Sequence, residues 1–398
     1  MRKENFPEGN DPQLAAAGPL ITEEAPNKAG RVPKIKSGPG CISRTLGCLG
    51  LIIFVVLLLG LLAGLKYSVL FLAPEEVSRE IVVRIPEGAT ATQIGEILEE
   101  AGVVKSGKAF VWTLRAKNKW AELRPKEGAE KGPVVLKAGE MALDPSLPVW
   151  KTIDLIAKGN YKLYPFTVPE GRNMYEIAKM VEDAGLGSGQ EFLALCRDRT
   201  FIGSLGLDAN NLEGYLFPST YSFPKGTPLK SIIKTMADTF LKVWGKYDEK
   251  ARGMGLTRKD VVILASIVEK ETGVAWERPT IAGVFYNRLA KGMRLQTDPT
   301  VIYGFLPDDF EGTITKKHLQ TAHPYNTYVI PGLPPGPITN PGEAAINAVV
   351  NPKVVPYYYF VSKNDGTGSH DFSETLADHN RKVDRYLRKK NTGKKGRR

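Results

Sequence analysis

The chain has 398 residues, 42% hydrophobic and 24% charged, with 54 Lys+Arg against 43 Asp+Glu. That composition excludes a wholly disordered polymer and leaves room for two or three folded domains. The net charge of +11 does not make a nucleic-acid binder of it, because the last stretch, RKKNTGKKGRR from Arg388, holds seven of the positive charges and no acid. Three cysteines (Cys41, Cys48, Cys196) and four scattered histidines (His318, His323, His370, His379) predict neither a disulfide framework nor a zinc cluster, so no metal or cofactor is expected.

Residues 1–45 are rich in Pro, Gly, Ala and scattered charge and read as a disordered arm. Residues 46–65 carry no charge over twenty positions, enough to span a bilayer once as a helix. Lys28, Arg31, Lys34, Lys36 and Arg44 precede the span without an acid after Glu24, whereas Lys66, Arg79 and Arg84 beyond it are mixed with Glu75, Glu76 and Glu80. The span reads as a single-pass anchor, and the positive-inside rule predicts its N-terminus in the cytoplasm and the large C-terminal part outside. Some fourteen residues separate Lys66 from the first strand-like run, so the outer part begins within about 50 Å of the membrane.

Two segments then repeat. IVVRIPEGATATQIGEILEEAGVVKSGKAF, from Ile81, and PFTVPEGRNMYEIAKMVEDAGLGSGQEF, from Pro165, share several features in one register. Each has a strand, a Pro-Glu-Gly turn, an amphipathic helix with Ile94 or Ile177, an Ala-Gly stop and a second helix ending at Phe110 or Phe192. With the strand-like Val134–Met141, the first copy makes a βααβ module over residues 80–160, either a carbohydrate-binding unit or a spacer. A charged stretch, Lys117–Lys131, looks inserted into it.

From Asn211 the chain becomes dense in aromatics, Pro and Gly (NLEGYLFPSTYSFPKG). Tyr215, Phe217, Tyr221 and Phe223 are positioned either to line a sugar cleft or to pack a loop on the core. A helix is expected over Leu229–Trp244, and another over TRKDVVILASIVEKETG, with Thr257 and Asp260 as a capping box and Gly273 as its stop. The last turn of that helix breaks a rule: Glu269 and Glu271 sit at its negative end, where a cation is the ordinary choice. A carboxyl there, at the end of an apolar rod, is a candidate general acid, while solvated charge is the plainer alternative. Counting along the helix puts Glu269 on a face with Val262, Ala265 and Ser266, small enough to leave a groove, and Glu271 over Leu264, Ile267 and Val268. No GxSxG elbow, SxxK serine signature or phosphate loop occurs, which leaves carboxylate chemistry.

EGYLFP (213–218), ASIVEKET (265–272), YNRL (286–289), GMRLQTDPTVIYG (292–304), YNTY (325–328), GLPPGPI (332–338) and YYFV (358–361), with His370, Phe372, His379 and Asn380, resemble the bacterial endolytic murein transglycosylases of the MltG/YceG-like family. The likeness runs from about residue 80 to 385. It implies an α+β chain with a single N-terminal transmembrane helix, a LysM-like βααβ module, a mixed α+β catalytic domain over 161–385 and a basic disordered tail over 386–398. It implies a lyase that cuts the MurNAc-β-1,4-GlcNAc bond inside nascent glycan strands and leaves 1,6-anhydroMurNAc ends. Peptidoglycan strands are then the substrate and peptidoglycan synthases the implied protein partners.

Glu269 matches the family's catalytic glutamate. One carboxyl suffices if the sugar's own 6-hydroxyl is the nucleophile, because that residue can protonate the leaving oxygen and then take the hydroxyl proton. Expected around it for substrate binding are Glu213, Tyr221, Ser266, Glu271, Asn287, Arg288, Gln296, Thr297, Asp298, Tyr325, Asn326 and Tyr328, whose alternative is the hydrogen-bonded stapling of loops. A muramidase giving reducing ends and a non-catalytic wall-binding scaffold are the competing functions.

Overall fold

The structure is a computed structural model that describes residues 41–72, 78–123, 132–306 and 312–395, with the backbone alone for 41–48, 67 and 389–395. Of the arm expected over residues 1–45, residues 1–40 lie outside the described chain and 41–45 are helical; of the inserted stretch 117–131, residues 124–131 lie outside it and 117–123 continue a helix. Two units result, Met1–Tyr67 and Ser68–Arg398. In the first, a helix α1 (Cys41–Ser68) contains most of the segment Leu49–Phe71, whose mean hydropathy of 2.6 and length suffice to cross a membrane.

The second unit is α+β, and among its described residues the strands pair two by two in three separate antiparallel ribbons. The repeat read from sequence is a structural repeat. In the first copy β1 (Ile81–Ile85), α2 (Ala91–Glu100), α3 (Gly107–Leu123) and β2 (Gly139–Leu143) follow in order, and β1 pairs β2 from Ile81 opposite Leu143 to Ile85 opposite Gly139. The second strand therefore lies a few residues beyond the expected Val134–Met141. After α4 (Val149–Lys158) the second copy begins: β3 (Leu163–Thr167), α5 (Met174–Asp183), α6 (Gly189–Leu195), α7 (Arg199–Ser204) and β4 (Thr220–Pro224), with β3 against β4.

The same local chemistry sets both copies. Thr90 with Gln93 and Asn173 with Glu176 form reciprocal capping boxes that satisfy the free N–H groups of α2 and α5. Gly102 (φ 73°) and Gly185 (φ 65°) take the left-handed conformation that ends those helices, where a side chain is disfavoured. Phe110 and Phe192 are both fully buried, each in its own core. Burying a phenylalanine contributes about 1.5–3 kcal/mol, so each copy has its own anchor.

The second core continues through α8 (Leu229–Trp244), α9 (Asp248–Gly253), α10 (Arg258–Glu271), α11 (Arg278–Ala290), α12 (Asp298–Gly304) and α14 (Glu343–Val350), with a short α13 (Lys316–Gln320) that buries no residue. A ribbon of β5 (Tyr359–Ser362) and β6 (His370–Ser373) and a last helix α15 (Leu376–Lys395) complete the unit. Helical backbone thus extends into the basic stretch as far as Lys395, where the sequence led us to expect a tail without structure.

α10 is the axis of this core. Thr257 and Asp260 form the expected capping box, and Val261 through Val268 are all buried. Its stop differs from expectation: Thr272 turns extended (φ −147°, ψ 134°), and Gly273 is not in the left-handed region.

Candidate active site

Residues two apart on a helix point about 200° apart, so Glu269 and Glu271 leave the end of α10 in opposite directions. Two different centres result.

Glu269 is 5% exposed at its side chain and both its oxygens accept hydrogen bonds. Arg278 Nη2, from the first turn of α11, donates to Oε1 at 2.9 Å, and the backbone N–H of Gly342, just before α14, donates to Oε2 at 3.0 Å. The Pro169-Glu170-Gly171 turn closes over it: Gly171 N donates to Asn340 O at 3.1 Å and Asn340 N to Arg172 O at 2.9 Å, lacing that turn to the chain before Gly342. Glu170 reaches the same guanidinium nitrogen at 3.9 Å. Burial, then the Glu269 charge, raise the Glu170 carboxyl above its ordinary value, with Arg278 opposing.

Glu271 is half-buried and lines a cleft of about 380 Å³ with Arg288, Gln296, Asp298, Tyr328, Tyr359, His370 and His379 among its walls. Burial and then the neighbouring Asp298 charge push its carboxyl up to about 8, against the pull of Arg288 and Thr297. Tyr328 Oη donates to Asp298 Oδ1 at 2.7 Å, and burial followed by that bond raises the phenol. Gln296 sits at φ 49°, uncommon for a residue with a side chain, and is held there by its N–H on Thr327 O at 3.1 Å. Thr297 N and Thr300 Oγ1 both meet the Thr327 hydroxyl, at 3.0 and 2.8 Å, which locks the YNTY loop to the start of α12.

The remaining expected residues, Arg288 in the cleft wall apart, make their contacts within the surrounding frame. Glu213 is fully buried and takes the Met174 N–H (2.9 Å) and Asn340 Nδ2 (2.9 Å); burial pushes it up to about 8. Tyr221, with Tyr215 and Phe223, is packed in the core, its hydroxyl on Phe217 O, so packing rather than a sugar platform accounts for these rings. Ser266 is fully buried between Ile263 O (2.7 Å) and the Ile338 N–H (3.1 Å). The groove expected over Ala265 and Ser266 is therefore filled by the chain around Ile338. Asn287 ties down Val355 O and Tyr357 O at 2.7 and 2.9 Å. Arg288 donates to Tyr358 O and Leu295 O, both at 2.6 Å, beneath the Glu271 cleft. Tyr325 packs on Tyr303 with ring centroids 4.9 Å apart. Asn326 is 1% exposed, its Nδ2 on His318 O, Leu319 O and Thr321 O, and its Oδ1 under the Tyr328 N–H.

Three participants were not read from the sequence. Arg278 and Gly342 lie in stretches with no motif of their own. Glu170 was visible only as part of the repeated Pro-Glu-Gly turn. Glu277 was also missed; fully buried, it takes the His370 N–H at 2.9 Å and faces His370 Nδ1 at 2.8 Å, which fixes β6 against the start of α11.

The α+β unit with its repeated strand-and-helix opening is the fold of a known class: the chain belongs to the YceG-like family, which it matches over residues 83–385. Among curated relatives, the endolytic murein transglycosylase of Bacillus subtilis (strain 168) is 32% identical over 325 residues, 78% of this chain and 85% of the relative. The endolytic murein transglycosylase of Streptococcus pneumoniae serotype 2 (strain D39) is 31% identical over 82% of this chain, which spans 62% of that relative's length. A crystal structure of a yceG-like protein from Listeria monocytogenes, 31% identical, superposes with a TM-score of 0.51 over 77% of this chain and 99% of its own.

Proposed function

We propose that this chain is an endolytic peptidoglycan lytic transglycosylase anchored by α1 in the cytoplasmic membrane, with its second unit outside. Glu269 protonates the glycosidic oxygen between MurNAc and GlcNAc, the MurNAc 6-hydroxyl attacks the anomeric carbon, and Glu269 then takes up the hydroxyl proton, leaving a 1,6-anhydro end. The substrate supplies its own nucleophile, so no water need be held on the opposite face, as an inverting glycosidase requires. The observation that carries this reading is the fixed carboxylate of Glu269, oriented by Arg278 Nη2 and the Gly342 N–H in a chain whose relatives bear the transglycosylase name. Pre-orientation of this kind is what makes a proton-transfer group effective.

The βααβ module of β1, α2, α3 and β2 is the LysM-like part, which we assign to holding the glycan strand, and peptidoglycan synthases are the partners that would supply nascent strands. The test is to incubate the detergent-solubilised full chain with polymeric peptidoglycan and to weigh the products. Anhydro ends lost in Glu269→Gln support the proposal; anhydro ends formed at the wild-type rate by that variant refute the role of Glu269, and reducing ends from the wild type make the enzyme a muramidase. Binding to glycan without cleavage leaves a scaffold.

One observation favours a second assignment of the acid. Glu271, pushed up to about 8 and lining an open cleft with Gln296, Asp298 and Tyr328, has the environment of a carboxyl that keeps its proton near neutrality. Glu271→Gln in the same assay decides it: loss there with retention in Glu269→Gln moves the acid to Glu271.

A further inference from the structure

The second Pro-Glu-Gly turn has a use that the first copy does not share. In the first copy, Glu87 lines an open surface cavity of about 800 Å³ beside Arg84, Glu140 and Lys225. In the second, the turn is laced to the chain at Asn340, and Glu170 is aimed at Arg278 Nη2, the nitrogen that already holds Glu269. The space for it is built: a methyl group at Gly342 would lie 1.9 Å from Glu170 Oε1 and 2.2 Å from its Cδ, although the Gly342 backbone (φ −73°) would itself accept any residue. Gly342 thus gives its N–H to one carboxyl and its missing side chain to the other. Arg278 is 10% exposed, Glu269 5% and Glu170 49%, so Glu170 is the most solvent-exposed member of the triad.

The geometry points to Glu170 as a second catalytic carboxyl, which donates the proton to the leaving oxygen while Glu269 receives the proton of the attacking hydroxyl. The inference rests on the lytic transglycosylase reading and divides between two residues the transfers that one would otherwise perform in turn. The balance is complete. Glu170 gives its proton to O4 as the C1–O4 bond breaks, O6 closes on C1 and the O6 proton passes to Glu269; after product release Glu269 loses that proton to solvent, and the exposed Glu170 takes one up from solvent. Both Glu269 oxygens are occupied by donors, which suits an acceptor; Glu170 is raised by burial and by the Glu269 charge, which suits a donor. The charged groups around the pair are Arg278 from α11, Lys270 from α10 with its Nζ 3.4 Å from Gly171 O, and Arg172, itself paired to Glu176.

The test compares Glu170→Gln, Glu170→Asp and Glu269→Gln in the full chain on polymeric peptidoglycan and on a muramyl glycoside whose aryl leaving group needs no protonation. Glu170→Gln is expected to lose about 100-fold on the polymer, with most of the loss recovered on the aryl glycoside, and to lose the alkaline limb of the rate-pH profile; Glu170→Asp keeps that limb. Glu269→Gln is expected to be slow on both substrates. Glu170→Gln within a few-fold of wild type on the polymer, or equally slow on both substrates, overturns the role of Glu170 and leaves the function standing if Glu269→Gln is inactive. If Glu269→Gln is active, the role of Glu269, and with it the pairing proposed here, fails instead, and reducing ends from the wild type would overturn the transglycosylase reading itself.

Discussion

Glu213 offers a quantitative test of how this fold is held, independent of catalysis. It is fully buried, where α5 begins, and accepts the Met174 N–H and Asn340 Nδ2. Those donors favour its charged form, yet burial outweighs them and raises it from 4.5 to about 8. The sign follows: between the two values the folded chain keeps a proton that the unfolded chain has lost, so stability falls as pH rises from above 4.5 through 8. At about 1.4 kcal/mol per pH unit, the fold loses about 3 kcal/mol between pH 6 and pH 8 from this group, with an upper bound of about 5 kcal/mol over the whole range. In Glu213→Gln an amide replaces the protonated acid, keeps an acceptor for the Met174 N–H, and cannot ionise. Thermal unfolding of wild type and variant in detergent should therefore diverge with pH, the wild type losing about 5 °C relative to the variant from pH 6 to pH 8 at roughly 2 °C per kcal/mol. The difference between the two proteins cancels Glu271 and the other titrating groups. A constant difference in melting temperature across that range would show Glu213 ionised inside the fold and would refute the reasoning.

Three further outcomes follow from the same structure. Arg278→Met leaves the nearly buried Glu269 without its cation, and should cost about 3 kcal/mol in denaturant unfolding as well as activity, with Arg278→Lys recovering part of both. Asn326→Ala strips three carbonyls and the Tyr328 N–H of their partner; we expect a loss of about 2 kcal/mol and faster hydrogen exchange over residues 318–328. Gly107→Ala should destabilise the first module by about 2 kcal/mol or more, because its Cβ would meet the Gly95 backbone at 2.6 Å. The equivalent Gly189→Ala meets Ala178 O at 3.0 Å and should cost less; the two melting temperatures read in parallel check both.

Much of the local structure was legible in the sequence. Thr257-x-x-Asp260 starts α10, the Ala-Gly pairs stop α2 and α5, and Ile81–Ile85 and Leu229–Trp244 form the strand and helix their patterns require, because caps and periodicity act over a few residues. The repeat was legible because matched registers produce matched turns. The aromatic cluster around Tyr221 was not decided by residue type, since the same rings serve a cleft or a core; the structure packs them. The polar loop residues were ambiguous for the same reason. Asn326 and Asn287 spend their amides on backbone carbonyls, whereas Gln296, Asp298 and Tyr328 line the cleft with Glu271.

Residue order alone was enough to require that a buried helix end in two glutamates, that a βααβ unit be followed by a second copy of its opening strand and helices, and that an apolar helix of membrane-spanning length precede them. It could not say which surroundings each glutamate would meet. Helix geometry fixes only that Glu269 and Glu271 diverge, while what waits on each side comes from segments distant in the chain: Glu170, Arg278 and Gly342 for one, Asp298, Tyr328 and His370 for the other. Face-counting placed a groove over Ser266, and the chain at Ile338 fills it. A carboxyl's protonation depends on the charges, donors and solvent within a few ångströms, and in this protein those are set by tertiary packing around the end of one helix.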